Sequence, residues 1–261
     1  MTGRTEREQL LADHFDAFHR ARAASRLVSA LYAEAMGDGY PAEVAPYSSC
    51  DRALLTIAMA RLQLRPGEHL VDVGCGTGGV GLWLARALRV RLTGLDVSSA
   101  AVLLAAGRAP GFVPAERAAF RTGTLEATGL QAGTVDGIVC VDALANAGNR
   151  VQALAELGRI LRPGGRAVMT RAGAPGLRAA VMEQARDAGL AVEFIDERPG
   201  EPAMWGRLYR LWQAREAKLR AELGDDQADA MLREAQRMLP RLPVREALAV
   251  TLRKPGPAGG G

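Results

Sequence analysis

Two hydrophobic patterns divide this chain. In some segments apolar residues recur every three or four positions, as on a helix with one buried face; in others they run unbroken, as in a strand covered on both sides. The first pattern opens the chain. Leu10, Leu11, His14, Phe15 and Phe18, then Leu27, Val28, Leu31 and Ala35, predict one helix over 5–36, stopped by Gly37-Asp38-Gly39-Tyr40-Pro41. A loop over 42–50 follows, and Ser48 or Ser49 is placed to cap a helix carrying Leu54, Leu55, Ala58, Met59 and Leu62. Beyond the turn Arg65-Pro66-Gly67-Glu68 the two patterns alternate. Strands are predicted at 70–73, 90–96, 119–123, 135–141, 166–171, 190–196 and 247–252. Between them lie helical patterns starting at Val80, at Ala101 (capped by Ser98 or Ser99), at Val151 (stopped by Pro163-Gly164) and at Leu177. Two more, Met204 to Leu219 and Ala228 to Leu239, precede the last strand, and the tail 254–261 is expected to be disordered.

Such alternation predicts an α/β fold, a doubly wound, mostly parallel sheet with its ligand at the carboxyl ends of the strands. With 261 residues, 48% of them apolar, the chain is long enough for one well-buried core and a modest extra lobe. The formal charge of +4 changes little, because only Lys218 and Lys254 are lysines and the arginines are scattered, so no nucleic-acid partner is expected. Cys50, Cys75 and Cys140 lack metal-site or redox spacing and read as free thiols in a reducing compartment. The polar N-terminus is no signal peptide, and no apolar run reaches the ~18 residues of a membrane span. A cytoplasmic protein without a membrane partner or metal site is expected.

Candidate chemistry concentrates at Leu70-Val71-Asp72-Val73-Gly74-Cys75-Gly76-Thr77-Gly78, where a strand turns into a helix through three alternating glycines. Residues without Cβ allow the backbone a sharp turn and close approach to a ligand, and the next helix presents its free N–H groups there. The following strand ends in Asp96, about twenty residues after Gly74, where a carboxylate can accept both hydroxyls of a ribose; its alternative is a cap before Ser98.

With Asp136–Leu144 and the run Ile160-Leu161-Arg162-Pro163-Gly164-Gly165-Arg166, these segments resemble the class I S-adenosylmethionine-dependent methyltransferases, closely over 70–171. The resemblance implies a seven-stranded Rossmann-like sheet whose last strand lies antiparallel beside the sixth. It implies a lid and access loop over 1–66, a cofactor core over 67–199, a two-helix cap over 200–243 and a final strand over 244–253. It also implies S-adenosylmethionine held by Tyr47, Asp72, Gly74, Gly76, Gly78, Asp96, Val97, Thr124, Leu125 and Val141. Asp72 either steadies the cofactor's amino group or braces the glycine turn. Thr124 stands where the family commonly has an acid for the adenine amino group, and Glu126 offers a carboxylate two residues on. Pro46-Tyr47-Ser48 is similar to the Tyr-Ser loop that touches the methionine end.

For catalysis, Asp142 lies where the family lines the transfer site, against a structural role at a strand end. His14 is either a base that removes a hydroxyl proton or a core histidine. The basic run Arg207, Arg210, Arg215, Lys218 and Arg220 is either a solvated face or a draw for an acidic or phosphorylated molecule. The implied reaction is methyl transfer to a small, largely apolar acceptor, oxygen favoured, in secondary metabolism. The alternatives are a cyclase or isomerase that keeps the cofactor, and a non-catalytic binding subunit; a monomer and a homodimer are both open.

Overall fold

A computed structural model describes residues 5–23 and 25–256. Its centre is a seven-stranded sheet in the order β3-β2-β1-β4-β5-β7-β6, formed by β1 (His69–Val73), β2 (Arg91–Asp96), β3 (Ala118–Thr122), β4 (Val135–Cys140), β5 (Leu161–Gly173), β6 (Ala191–Glu197) and β7 (Glu246–Arg253). All pairings are parallel except those of β7, which runs antiparallel between β5 and β6. The order reverses between β1 and β4, so the crevice for a ligand opens there.

Helices cover both faces, as the unbroken apolar strands require. On one side α6 (Arg150–Ile160) and α7 (Leu177–Asp187) pack Leu154, Leu157, Ile160 and Val181 onto Ile138, Cys140 and Met169. On the other, α3 (Arg52–Leu62) and α4 (Gly79–Leu88) bring Ala58, Leu62, Leu82, Leu84 and Ala85 against Leu70, Leu92 and Val139. The remaining bridge, α5 (Ser99–Arg108), starts at the end of β2 and is capped by Ser98 Oγ, which accepts from Ala101 N at 3.0 Å.

A separate apolar cluster joins the N-terminal segment to the cap. The expected single helix over 5–36 is two: α1 (Glu6–Ala23) and α2 (Arg26–Met36). Ser25 makes the break by taking an extended conformation, accepting from Val28 N and donating to Glu222 of the cap at 2.6 Å. The cap likewise holds three helices where two were expected: α8 (Glu201–Ala214), α9 (Glu216–Leu223) and α10 (Asp225–Met238). The chain turns at Arg215 and again at Gly224, whose φ of 80° suits glycine. Val28, Leu31 and Tyr32 of α2 pack against Leu208, Tyr209 and Trp212 of α8 and Met231 of α10.

Three further expectations are corrected. The cap of α3 is Asp51, accepting from Leu54 N at 2.7 Å, and not Ser48 or Ser49. Strand β5 begins at Leu161, directly after α6, and Arg162–Gly165 loops out where pairing with β4 slips between Val135 and Gly137. Lys254, placed in the disordered tail, is held by its Nζ donating to Leu161 O at 2.7 Å; residues 257–261 lie outside the described residues.

Candidate active site

The glycine turn behaves as its sequence requires. Gly74, Gly76 and Gly78 all have positive φ (73°, 51° and 77°), where a side chain is strained. A Cβ on Gly74 would lie 2.2 Å from that of Ala143, so the turn runs against the end of β4. Gly74 N and Cys75 N both donate to Leu95 O, fixing the loop to β2.

Beside this turn lies a cleft of about 440 Å³, within the range of small-molecule sites. Its lining includes Tyr47, Asp72, Gly74, Gly76, Asp96, Val97, Thr124, Leu125, Val141 and Asp142. Gly78 is outside it and serves the turn, with the αL conformation at the start of α4. Over the cleft α1 turns Leu11, Phe15, Phe18 and His19. His14, expected as a base on the buried face, is exposed and outside the lining; it sits at the margin of that face, turned to solvent.

The histidine that lines the cleft is His19, which is buried and whose Nδ1 finds no hydrogen-bond partner among the described residues. Burial first, then the nearby Arg22, pushes its pKa down to about 4, against the opposing pull of Asp16. The ring is therefore neutral near pH 7, 3.3 Å from where a Cβ on Gly76 would stand.

Two buried carboxylates face the cleft. Asp96 accepts from Gly76 N at 2.8 Å with one oxygen and from Ser98 N at 2.9 Å with the other. It therefore caps locally as well as lining the cleft. Burial raises its pKa despite those donors. Asp72 accepts from Gly81 N at 2.9 Å, bracing the first turn of α4. Burial pushes its pKa up to about 7, with the Asp96 charge adding to the rise.

Asp142 sits at a positive φ of 55°, two residues past the end of β4. Its carboxylate accepts from Ser49 N (2.6 Å), Ser49 Oγ (2.9 Å) and Thr170 Oγ1 (2.8 Å). Ser49 is gripped in turn by buried Arg198, through its Oγ at 2.9 Å and through its carbonyl. Three donors hold one carboxylate, so Asp142 positions the access loop. Thr124 Oγ1 already accepts from Ala127 N at 3.0 Å, although a hydroxyl retains a second lone pair and its proton. Glu126 accepts from Gly148 N at 2.5 Å, which commits it to the loop before α6.

The Tyr47 hydroxyl donates to Arg22 O at 3.0 Å, joining the access loop to the end of α1. Sequence reasoning missed Arg108. From α5 it donates to Thr77 O, Thr77 Oγ1, Glu43 O and Val44 O at 2.9–3.1 Å, clamping glycine turn and access loop together. A basic residue in the last turn of a helix gives no sign of such a task. Asp16, Ser49 and Arg198 were missed for the same reason: their partners are distant in the chain.

The cleft suits S-adenosylmethionine. Its volume is right, a Cβ would intrude on the turn, and two buried acids with raised pKa values await a cationic, ribose-bearing molecule. A strand, a glycine turn and an acid closing the next strand form the arrangement by which α/β folds commonly hold a nucleoside. Residues 70–165 match the methyltransferase domain family, and the strand order of the sheet is that of the class I S-adenosylmethionine-dependent methyltransferase fold.

Among known proteins, an O-methyltransferase of Pyrenophora dematioidea is 31% identical over 106 residues, 41% of this chain and 40% of that protein. Methyltransferase GfsG of Streptomyces halstedii is 28% identical over 160 residues, 58% of each chain. The alignments thus span about half the length of these relatives. The solved structure of the cyclase SpnF superposes with a TM-score of 0.75 at 20% identity, covering 96% of this chain and 97% of its own. Among the described residues no helix is long and apolar enough to cross a membrane.

Proposed function

We propose that the protein binds S-adenosylmethionine and catalyses transfer of its methyl group to a small, largely apolar acceptor, with oxygen the favoured acceptor atom, in secondary metabolism. The observation that carries this is Asp96, buried at the end of β2 and lining the cleft beside the glycine turn. S-adenosylmethionine supplies an activated methyl on a sulfonium. Asp96 would take the ribose hydroxyls, Thr124 and Leu125 the adenine end, and Asp72 with Tyr47 the methionine end.

The protein's own contribution is orientation and exclusion of water. Phe15, Phe18 and Leu11 form an apolar roof, and the Asp142–Ser49–Arg198 chain fixes the access loop beneath it. For a hydroxyl acceptor, neutral His19 replaces His14 as the group that accepts the hydrogen bond. Relatives named as O-methyltransferases support the choice of oxygen. Three buried free thiols, Cys50, Cys75 and Cys140, support a reducing, cytoplasmic setting.

A second reading is a cyclase that retains the cofactor without methyl transfer. It is favoured by the engagement of Asp142 with Ser49 and Thr170, which ties that carboxylate to a positioning role. The test is calorimetry with S-adenosylmethionine, followed by a screen of apolar hydroxylated acceptors read by mass spectrometry. Release of S-adenosylhomocysteine with a methylated product supports transfer; conversion without it supports cyclisation; failure to bind the cofactor refutes both and leaves a non-catalytic subunit.

A further inference from the structure

The molecule has a second cavity, about 970 Å³, between the outer face of α8 and the ends of β6 and β7. None of its lining residues lines the cofactor cleft. Its floor is apolar: Leu242, Ala247 and Leu248 are all buried. Gly206 completes that floor, and a Cβ there would stand 3.5 Å from Leu242 Cδ1 and 3.4 Å from Arg210 Nη1. The Arg210 guanidinium, on an exposed side chain, thus lies beside the floor at Gly206.

The rim is basic beyond its local needs. Arg207 and Arg210 stand three residues apart on α8, where like charges repel. Among the described residues neither has a carboxylate within ion-pair distance; Arg207 spends its Nε on Ala35 O at 2.7 Å, which leaves its terminal amino groups. Arg178 lines the same cavity and, among the described residues, is paired only with exposed Glu197 at 3.3 Å, a contact of little strength. The other acid of the lining, Glu246, is engaged by Leu177 N at 3.0 Å.

Planar guanidinium groups over a concave apolar floor match a phosphate carried on a hydrocarbon stem. We propose that this cavity is a second ligand site, for a small phosphate ester with an apolar stem. This stands apart from the methyl-transfer reading, since it uses none of the cofactor residues.

Calorimetric titration of the full chain with octyl phosphate and, separately, inorganic phosphate tests it. Octyl phosphate should bind saturably and more tightly than inorganic phosphate. Its affinity should fall at least tenfold in Arg210→Glu and in Arg178→Glu, two exposed positions whose change leaves S-adenosylmethionine binding as it was. A membrane headgroup offers the same phosphate, so co-sedimentation with phosphatidylglycerol vesicles distinguishes the sources; a concave site predicts that the protein stays in the supernatant. The proposal is overturned if octyl phosphate fails to saturate, if both variants bind it unchanged, if S-adenosylmethionine displaces it, or if the protein pellets with vesicles.

Discussion

Asp16, on α1, accepts from the Ser98 hydroxyl at 2.5 Å, and Ser98 N in turn donates to Asp96 at 2.9 Å. Two more donors, Ser99 Oγ and Ala100 N, reach the same Asp16 carboxylate at 3.0 Å. Burial alone would raise its pKa, but these donors together with Arg20 outweigh burial and lower it. Helix α1 is therefore fastened to the very turn that presents Asp96 to the cleft. Hydrogen bonds to a charged group contribute about 1.5–3 kcal/mol. Asp16→Ala should lower unfolding stability by about that amount and weaken S-adenosylmethionine binding about tenfold, since ~1.4 kcal/mol is a factor of ten. Chemical denaturation and calorimetry measure the two effects. Unchanged cofactor affinity would mean that α1 does not help close the cleft.

Asp96 itself separates the two uses of one carboxylate. Asp96→Asn keeps an oxygen for one backbone donor and loses the charge, whereas Asp96→Ala strands both Gly76 N and Ser98 N. Loss of a charge-assisted pair of ribose contacts, each worth about 1.5–3 kcal/mol, predicts a drop in S-adenosylmethionine affinity of about a hundredfold or more for Ala. Asn should fall between Ala and the parent. Binding that survives Asp96→Ala would remove the nucleoside from this cleft.

Gly79 and Gly107 make a controlled comparison. A Cβ on Gly79 would sit 2.1 Å from Val44 O, into the access loop, while one on Gly107 meets nothing within 4 Å. Gly79→Ala should cost about 1–3 kcal/mol by overpacking. Gly107→Ala, inside α5, should stabilise by about 0.5–1 kcal/mol because the unfolded chain loses freedom. Thermal melts of the two variants should move in opposite directions; a matching shift would refute the close approach of loop and turn.

Much of the core was legible in the chain because its signals are local. The strand segments, the three glycines and the acid at the end of β2 each carry their meaning within a few residues, and the sheet places the strands in the expected fold. What the sequence concealed is what the fold assembles from afar. His14 and His19 share one helix, and only the packing of α1 over the glycine turn selects His19. The break at Ser25 depends on Glu222 of the cap, and the use of Asp142 as an anchor depends on Ser49 and Thr170. Arg108 gave no signal at all, since its four acceptors are mostly main-chain oxygens.

Asp72 and His19 should leave opposite marks on the pH dependence of stability. Asp72 has its folded pKa pushed up from 3.8 to about 7, chiefly by burial, so the native state holds a proton that the unfolded chain has released. Its contribution is complete below about pH 4 and is lost as the pH rises towards 7. His19 is pushed down from 6.5 to about 4, again chiefly by burial, so here the unfolded chain holds the extra proton. Its contribution is complete above about pH 6.5 and is lost as the pH falls towards 4. Across that window the two slopes, each at most about 1.4 kcal/mol per pH unit, oppose one another. The parent protein should therefore show a shallow profile between about pH 4.5 and 6.5. Asp72→Asn should unmask a stability that climbs with pH, and His19→Asn one that declines. Urea midpoints for the three proteins across this range decide the matter, and profiles that run parallel would show that neither group titrates in the buried state.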